Sequence, residues 1–416
     1  MKKAITVLLV LILTFTFSFA SAESAFAADK TQRDVVGEVL QKTGDFLFES
    51  NDNPTLGSIG GEWLMYGFAV SEYDLPEEYV ETYKKNIEDI LDENNGKLPK
   101  YTDYSRLIIT MCALGDETLD PYTFGAKKYN LVDKLKNKSE VVKEGIAGAI
   151  FALRALDVSD YLINEASGDD LIAYYIDYIL NEQKSDGGWA ISDSNGDSDL
   201  TAMAIQTLSS FRTSNKNVNS ALTRAESWMK ANINSNAAYE TGNIETCEST
   251  AQALFALTSL GRNVTTNSYF KKNGKTLIDA LLTYYDEEIG AFKHTMADNT
   301  VNMMATEQAY YALANYYENT LPKVELKSFK TYKKTSVKAE WKALRGADGY
   351  QVQLSTSSAF SSSKTTTYTI NATSQLTKTV SSLKKGKTYY VRVRAINDVC
   401  GRSVYGVYSD VKKVKR

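Results

Sequence analysis

Short segments rich in alanine and leucine recur about every 45 residues through the first three-quarters of the chain, a period typical of paired-helix repeats. They read GGEWLMYGFAVS (60–71), DYSRLIITMCALG (103–115), KEGIAGAIFALRAL (143–156), SDLTAMAIQTLSSF (198–211), CESTAQALFALTSLG (247–261) and MATEQAYYALANYY (304–317). Each is apolar on more than one side, the mark of a helix buried nearly all round. Between them lie amphipathic stretches with one charged face: EEYVETYKKNIEDILDEN (77–94), DDLIAYYIDYILNEQ (169–183) and NSALTRAESWMKANI (219–233). About six outer–inner helical hairpins therefore follow one another. They can close into a ring of inner helices within a ring of outer ones, or stack as an open solenoid. No polar terminal cap is evident, which favours closure.

Two further features set the frame. Lys2 and Lys3 precede an apolar run from Ala4 to Ala20, followed by small-residue cleavage patterns and polar sequence. Residues 1–27 read as a secretory signal peptide. With no second long apolar run, no membrane span is expected; with no cysteine at the cleavage site, neither is a lipid anchor. Charge is divided unevenly. Residues 321–416 hold 20 Lys and Arg against 5 Asp and Glu, net +15, which leaves −19 for residues 1–320 against a whole-chain value of −4. Two domains of opposite sign follow, 28–320 and 321–416. A secreted basic domain suggests an anionic cell-wall polymer or glycan as partner, rather than nucleic acid. A basic domain without such a partner is the competing reading.

The cysteines, Cys112, Cys247 and Cys400, are too few and too scattered for a disulfide framework. The chain has one histidine, His294. Any histidine-based metal site or catalytic triad must use it.

YILNEQKSDGGW (178–189) matches the aromatic-aliphatic-x3-Gln-x3-Gly-x-Trp pattern of the terpene-cyclase repeat, with echoes at Gly290-Ala291-Phe292 and Gly96-Lys97-Leu98. Over about residues 33–318 the chain resembles the squalene-cyclase and protein-prenyltransferase superfamily, in particular secreted toroid proteins of Gram-positive anaerobes. The resemblance implies an all-α (α/α)6 toroid. It leaves activity open, because the superfamily includes enzymes and binders.

Three chemistries are tested against the motifs. Class II cyclases use Asp-x-Asp-Asp-Thr-Ala with the middle aspartate as acid. Here the run is Asp197-Ser198-Asp199-Leu200-Thr201-Ala202, which makes Asp199 the acid but puts leucine where the last aspartate belongs. The competing expectation is that Asp199 caps the helix that follows. Asp193, Asn195 and Asp197 alternate like the start of a calcium loop, but position six is Ser198 and position twelve Ala204, so calcium would be held without a bidentate glutamate. Glu245 and Cys247 match the spacing of two prenyltransferase zinc ligands, yet the third, a histidine expected near Ala305, is absent. No zinc or other metal cofactor is expected, with weak calcium binding at Asp193, Asn195 and Asp197 as the alternative.

Aligning the inner helices places Glu144, Asp199 and Glu248 at equivalent starts, and Glu62 and Glu307 at another shared position. In such toroids these starts face the cavity mouth. A mouth ringed by acids, with Trp63, Tyr66, Tyr310 and Tyr311 nearby, is the expected site for an unidentified ligand. The enzyme alternatives are a cyclase-like reaction at Asp199, or glycan cleavage by two of the mouth carboxylates.

After Leu321 the pattern switches to period two. SVKAEW, GYQVQLS, TTTYTI and TYYVRVRAIN alternate and are rich in β-branched and aromatic residues. About seven such strands imply a β-sandwich. The segment resembles a bacterial fibronectin type III domain, with Trp341 as core tryptophan and Tyr389 as corner tyrosine. Arg392 and Arg394 alternate with Val391 and Val393, so they should lie on the outer face. The whole reads as a secreted or surface-associated binding protein.

Overall fold

A computed structural model describes residues 31–161, 169–192, 195–344, 347–399 and 402–416. Residues 1–27, read above as a signal peptide, and Asp193 and Cys400 lie outside the described residues. The chain divides into a helical N-terminal region and a β-rich C-terminal region.

All six alanine-rich segments are helices: α2 (Glu62–Val70), α4 (Tyr101–Leu114), α6 (Gly145–Val158), α8 (Ser198–Leu208), α10 (Cys247–Ser259) and α12 (Met303–Asn319). Each packs on the next, and α12 packs back on α2, so the six form a closed ring. Their small residues permit this. Ala149, Ala152, Ala202, Ala204, Ala253, Ala256, Ala309 and Ala312 are all fully buried, where larger side chains would hold the helices apart.

Outer helices alternate with them: α1 (Gln32–Ser50), α3 (Glu77–Glu93), the single turn α5 (Lys138–Val141), α7 (Asp169–Asn181), α9 (Lys216–Asn232) and α11 (Leu277–Leu282). Four lie over the preceding inner helix, α1 over α12, α7 over α6, α9 over α8 and α11 over α10. On α3 the buried stripe is Tyr79, Tyr83, Ile87 and Leu91, every fourth residue. The third outer position departs from the repeat. Pro121 and Gly125 interrupt helical backbone there, and Leu119, Phe124, Leu131, Val132 and Leu135 bury themselves from turns and a short 3-10 helix instead.

One device joins outer to inner helix three times. The buried backbone N–H groups of Trp189, Tyr239 and Phe292 donate to the hydroxyls of Thr201, Thr250 and Thr306, at 2.9, 3.2 and 3.0 Å. Trp189 Nε1 also donates to Ile179 O on α7, and the Tyr239 hydroxyl donates to Met229 O on α9. The ring therefore pins the end of one helix to the start of the next. Around Trp189, Gln183 Nε2 donates to Gly187 O and Ala221 O, at 2.8 and 3.0 Å. Gly187 has φ +97°, and a Cβ there would meet Arg224 O at 2.9 Å, so glycine is required twice over. Residues 183–189 are a structural turn. The echo at Gly290-Ala291-Phe292 is the same turn, whereas Leu98 uses a different one, its N–H donating to the Tyr104 hydroxyl.

The β-rich region has strands β1 (Leu326–Tyr332), β2 (Ser336–Trp341), β3 (Gly349–Ser355), β4 (Thr365–Ile370), β5 (Thr377–Val380), β6 (Thr388–Val399), β7 (Arg402–Tyr405) and β8 (Lys412–Lys415). One sheet runs β5-β2-β1. The other runs β4-β3-β6-β7, with β8 also paired to β6. They share a core in which Trp341 packs at a tilt against Tyr350, ring centroids 5.5 Å apart. Tyr389 reaches back so that its hydroxyl accepts from Lys384 N at 3.0 Å. Val391, Val393 and Ala395 face the core, leaving Arg392 and Arg394 on the opposite side of β6.

The two regions meet at a buried contact. Asn397 Nδ2 on β6 donates to the backbone carbonyl and the carboxylate of Glu318 at the end of α12. Burial and the nearby charge of Glu72 push the Glu318 carboxyl up to about 7.

Candidate functional site

The acids at the helix starts are mostly spoken for. The N-cap of α8 is Asp197, whose Oδ1 accepts from Leu200 N at 2.8 Å. The expectation that Asp199 is the cap is thereby corrected: helix α8 starts two residues earlier, at Ser198, placing Asp199 in its first turn. Asp199 Oδ2 accepts from the Thr241 hydroxyl at 3.2 Å, its Oδ1 makes no hydrogen bond among the described residues, and burial raises its pKa. Glu144 caps a neighbouring helix, accepting from Tyr101 N and Thr102 N on α4 at 2.6 and 3.0 Å. Glu62 is fully buried, accepts from Gly57 N and pairs with Arg106 at 3.2 Å. Burial raises its pKa against the pull of that guanidinium. Glu307 accepts from Gly60 N at 2.7 Å, and burial pushes it up to about 8. Glu62 and Glu307 thus fold one loop, 57–61, across the ring seam.

Glu248 differs. Its Oε2 lies 2.8 Å from Nδ1 of His294, while its Oε1 is buried without a partner. The single histidine therefore sits at the acid end of the ring.

The metal motifs close on themselves. Cys247 is buried and its thiol points at Ala305 O, at 3.8 Å. Ala305 is where the third zinc ligand would be expected. Glu245 accepts from Asn234, Asn236 and the Tyr284 hydroxyl. Of the calcium trio, Asp197 is used as a cap and Asn195 is exposed. Among the described residues no group of three or more acids, histidines and cysteines could hold a metal.

The aromatics occupy the middle of the ring. Trp63, Tyr66 and Tyr311 form a cluster with centroid separations of 5.6–5.9 Å. Tyr310 is corrected from the cavity to the outer layer: one residue along α12 is about 100° round the helix, which turns it away from the axis. Its ring packs on Phe68 and its hydroxyl lies 2.7 Å from that of Ser71.

A belt of polar side chains crosses the same level. Arg154 on α6 donates to the Tyr66 hydroxyl at 2.8 Å and to Gln206 Oε1 at 3.4 Å. Gln206 donates to Gln252 Oε1 at 2.8 Å, and Gln252 donates to Gln308 Oε1 and the Tyr311 hydroxyl. The guanidinium carbon lies 5.1–5.9 Å from the ring centroids of Trp63, Tyr66 and Phe255. Arg154 makes no ion pair among the described residues.

Beyond this belt, toward the helix C-termini, lies a cavity of about 610 Å³. Its lining includes Arg154, Gln206, Phe255, Asn315 and Asn319, with Asp157 and Asp160 also on its wall. Asn315 Oδ1 is buried with no hydrogen-bond partner among the described residues. Val404, from β7 of the other region, completes the wall. This cavity thus lies at the opposite end of the ring from Glu62, Glu144, Asp199, Glu248 and Glu307. The belt was missed in the sequence, although Arg154 stands out as the one charge in IAGAIFALRAL. Gln252 and Gln308 each follow by two residues the threonine that pins the hairpin.

No family model and no curated protein matches the chain. Among solved structures, a mutant unsaturated glucuronyl hydrolase from Streptococcus agalactiae is 12% identical, covering 69% of this chain and 90% of its own, with a TM-score of 0.49. ent-Copalyl diphosphate synthase from Streptomyces platensis is 16% identical over 62% of this chain, which spans 49% of that enzyme, with a TM-score of 0.42. A fibronectin-III-like protein from Clostridium thermocellum is 22% identical over 22% of this chain and 86% of its own, with a TM-score of 0.17. The three are likenesses only and carry no argument about the layout or the activity of this chain. No helix among the described residues is long and apolar enough to cross a membrane.

Proposed function

We propose that this is a secreted, surface-associated binding protein. In this reading residues 1–27 are a signal peptide, 28–320 an α/α toroid of the terpene-cyclase and prenyltransferase type, and 321–416 a fibronectin type III domain. The toroid holds a small polar molecule in the cavity beneath Arg154, and the basic domain attaches the protein to an anionic surface or glycan.

The observation that supports it is the division of labour inside the ring. Glu62, Glu144 and Glu307 carry loops and helix caps, groups already committed to the fold. Arg154 presents to a cavity of about 610 Å³ a guanidinium that has no carboxylate partner among the described residues; the volume is within the usual size of a small-molecule site. The unpartnered Asn315 Oδ1 supplies a buried acceptor on the same wall. A ligand that binds the folded chain stabilises it by an amount that grows with the logarithm of its concentration over its dissociation constant, and so raises the denaturation midpoint. Screening the full chain against a panel of small polar molecules tests the reading. At least one should raise the midpoint in wild type and not in Arg154→Met; equal shifts in both would oppose it.

A second reading, catalysis at the acid end, is favoured by one observation. Asp199 has an unpartnered oxygen and a raised pKa, as a proton donor needs, and the Glu248–His294 pair belongs to the same end of the ring. Turnover lost in Asp199→Asn and kept in Arg154→Met would favour it over binding.

A further inference from the structure

We propose that the outward face of the five-stranded sheet is a docking surface for an acidic polysaccharide, whose carboxylates are gripped by Arg392 and Arg394. The proposal rests on the reading of the basic region as a tether, and assigns the tether to one face and one chemistry.

The two arginines form part of a ladder. The guanidinium carbon of Arg392 lies 4.2 Å from the ring centroid of Phe360 and 3.9 Å from that of Tyr408. Arg394 lies 4.5 Å from Tyr408 and 4.0 Å from Tyr405. The order is therefore Phe360, Arg392, Tyr408, Arg394, Tyr405. Beneath it, Arg392 Nε donates to Gln353 Oε1 at 2.8 Å, and Arg394 Nε to Gln351 Oε1 at 2.9 Å.

Two rings flank each guanidinium within 4.5 Å, and the glutamine takes its Nε–H. The remaining donors are on Nη1 and Nη2, in the plane and at the edge, and neither arginine pairs with a carboxylate among the described residues. That edge is the fork that meets a carboxylate with two parallel hydrogen bonds. Held between rings, the forks lose little freedom on binding, unlike a lysine on a free stem. Residues two apart on a strand are about 7 Å apart, so two forks side by side suit a polymer bearing repeated anions. The net +15 of residues 321–416 supplies the surrounding attraction.

Charge alone would suit any polyanion. The aromatic rungs narrow it to a sugar polymer. Tyr405 ends the ladder with 45% of its surface exposed, a flat apolar face of the kind that covers the C–H face of a pyranose ring. A polyanion without rings could use the forks but would gain nothing from that tyrosine.

The test uses the full chain at physiological salt and measures affinity for polygalacturonate, dextran and inorganic polyphosphate. Three variants are compared with wild type: Arg392→Lys with Arg394→Lys, Tyr405→Ala, and Lys412, Lys413 and Lys415 all to Gln. Circular dichroism confirms that each is folded. Wild type should prefer polygalacturonate to both other polymers by at least about tenfold. The double Lys variant keeps its charge yet should lose about tenfold, because it loses the forks. Tyr405→Ala should lose affinity for polygalacturonate and keep its affinity for polyphosphate. The ladder assignment is overturned if the double Lys variant binds as well as wild type, or if polyphosphate or dextran binds as tightly as polygalacturonate. If the triple Gln variant alone loses binding, the tether reading stands and the ladder fails. If wild type binds no polyanion, both fall.

Discussion

The carboxylate of Glu307 accepts the backbone N–H of Gly60 at 2.7 Å, joining the last inner helix to the loop that starts the first. This bond lies on the seam where the ring closes, and it has a consequence for pH. Burial is the chief cause that lifts Glu307 to about 8; the Gly60 bond opposes it and the charge of Glu62 adds to it. A carboxyl whose pKa is raised by folding holds its proton more tightly in the folded state. Its stabilising contribution is complete below the unfolded pKa, near 4.5, and is lost as pH climbs through about 8. The denaturation midpoint should therefore fall between pH 5 and pH 8.5. Asp199, Glu62 and Glu318 act with the same sign, so the diagnostic is a comparison. Glu307→Gln mimics the protonated form, can still accept from Gly60, and should visibly flatten the profile. A slope identical to wild type would show that Glu307 does not titrate in this range.

Trp189 is fully buried and hydrogen-bonded at both its backbone and its indole nitrogens. Trp189→Ala should cost about 3–5 kcal/mol, the range for emptying a large aromatic site. Chemical denaturation measures it. An unchanged midpoint would contradict the role of the 183–189 turn in pinning α7 to α8.

The repeat was legible because its cause is local. Alanine at the contacts of the last four inner helices and the Gly-x-aromatic turn follow from what a closed ring can accommodate, and both are visible as strings. The third outer helix was not, because Pro121 and Gly125 replace it with turns whose apolar residues follow no period. Site residues were legible as types and not as directions. Tyr310 and Tyr311 are adjacent in sequence, yet one faces Phe68 outside and the other Trp63 inside. Asp199 and Asp197 exchanged roles through a shift of helix start within the usual boundary uncertainty. The Gln206–Gln252–Gln308 belt needed the angular register of three helices at once.

Cys247 offers a check on the zinc-like motif. Burial pushes its thiol well above the ordinary range, and the neighbouring Glu248 charge adds to this. A thiol that stays protonated is slow to alkylate. Iodoacetamide followed by peptide mapping should leave Cys247 unmodified in the native chain and modify it fully in denaturant. A chelator should not shift the thermal midpoint. Rapid native alkylation, or a midpoint lowered by chelator, would mean that the Cys247 pocket is open or metal-bound.

The central claim is that the cavity beneath Arg154 holds a small molecule. Native mass spectrometry of the full chain tests it most directly, after equilibration with a small-molecule extract and exchange into volatile buffer. Wild type should carry a stoichiometric added mass that is released on denaturation, and Arg154→Met, folded by circular dichroism, should carry none. A bare chain mass for wild type, or the same added mass on both proteins, would contradict it.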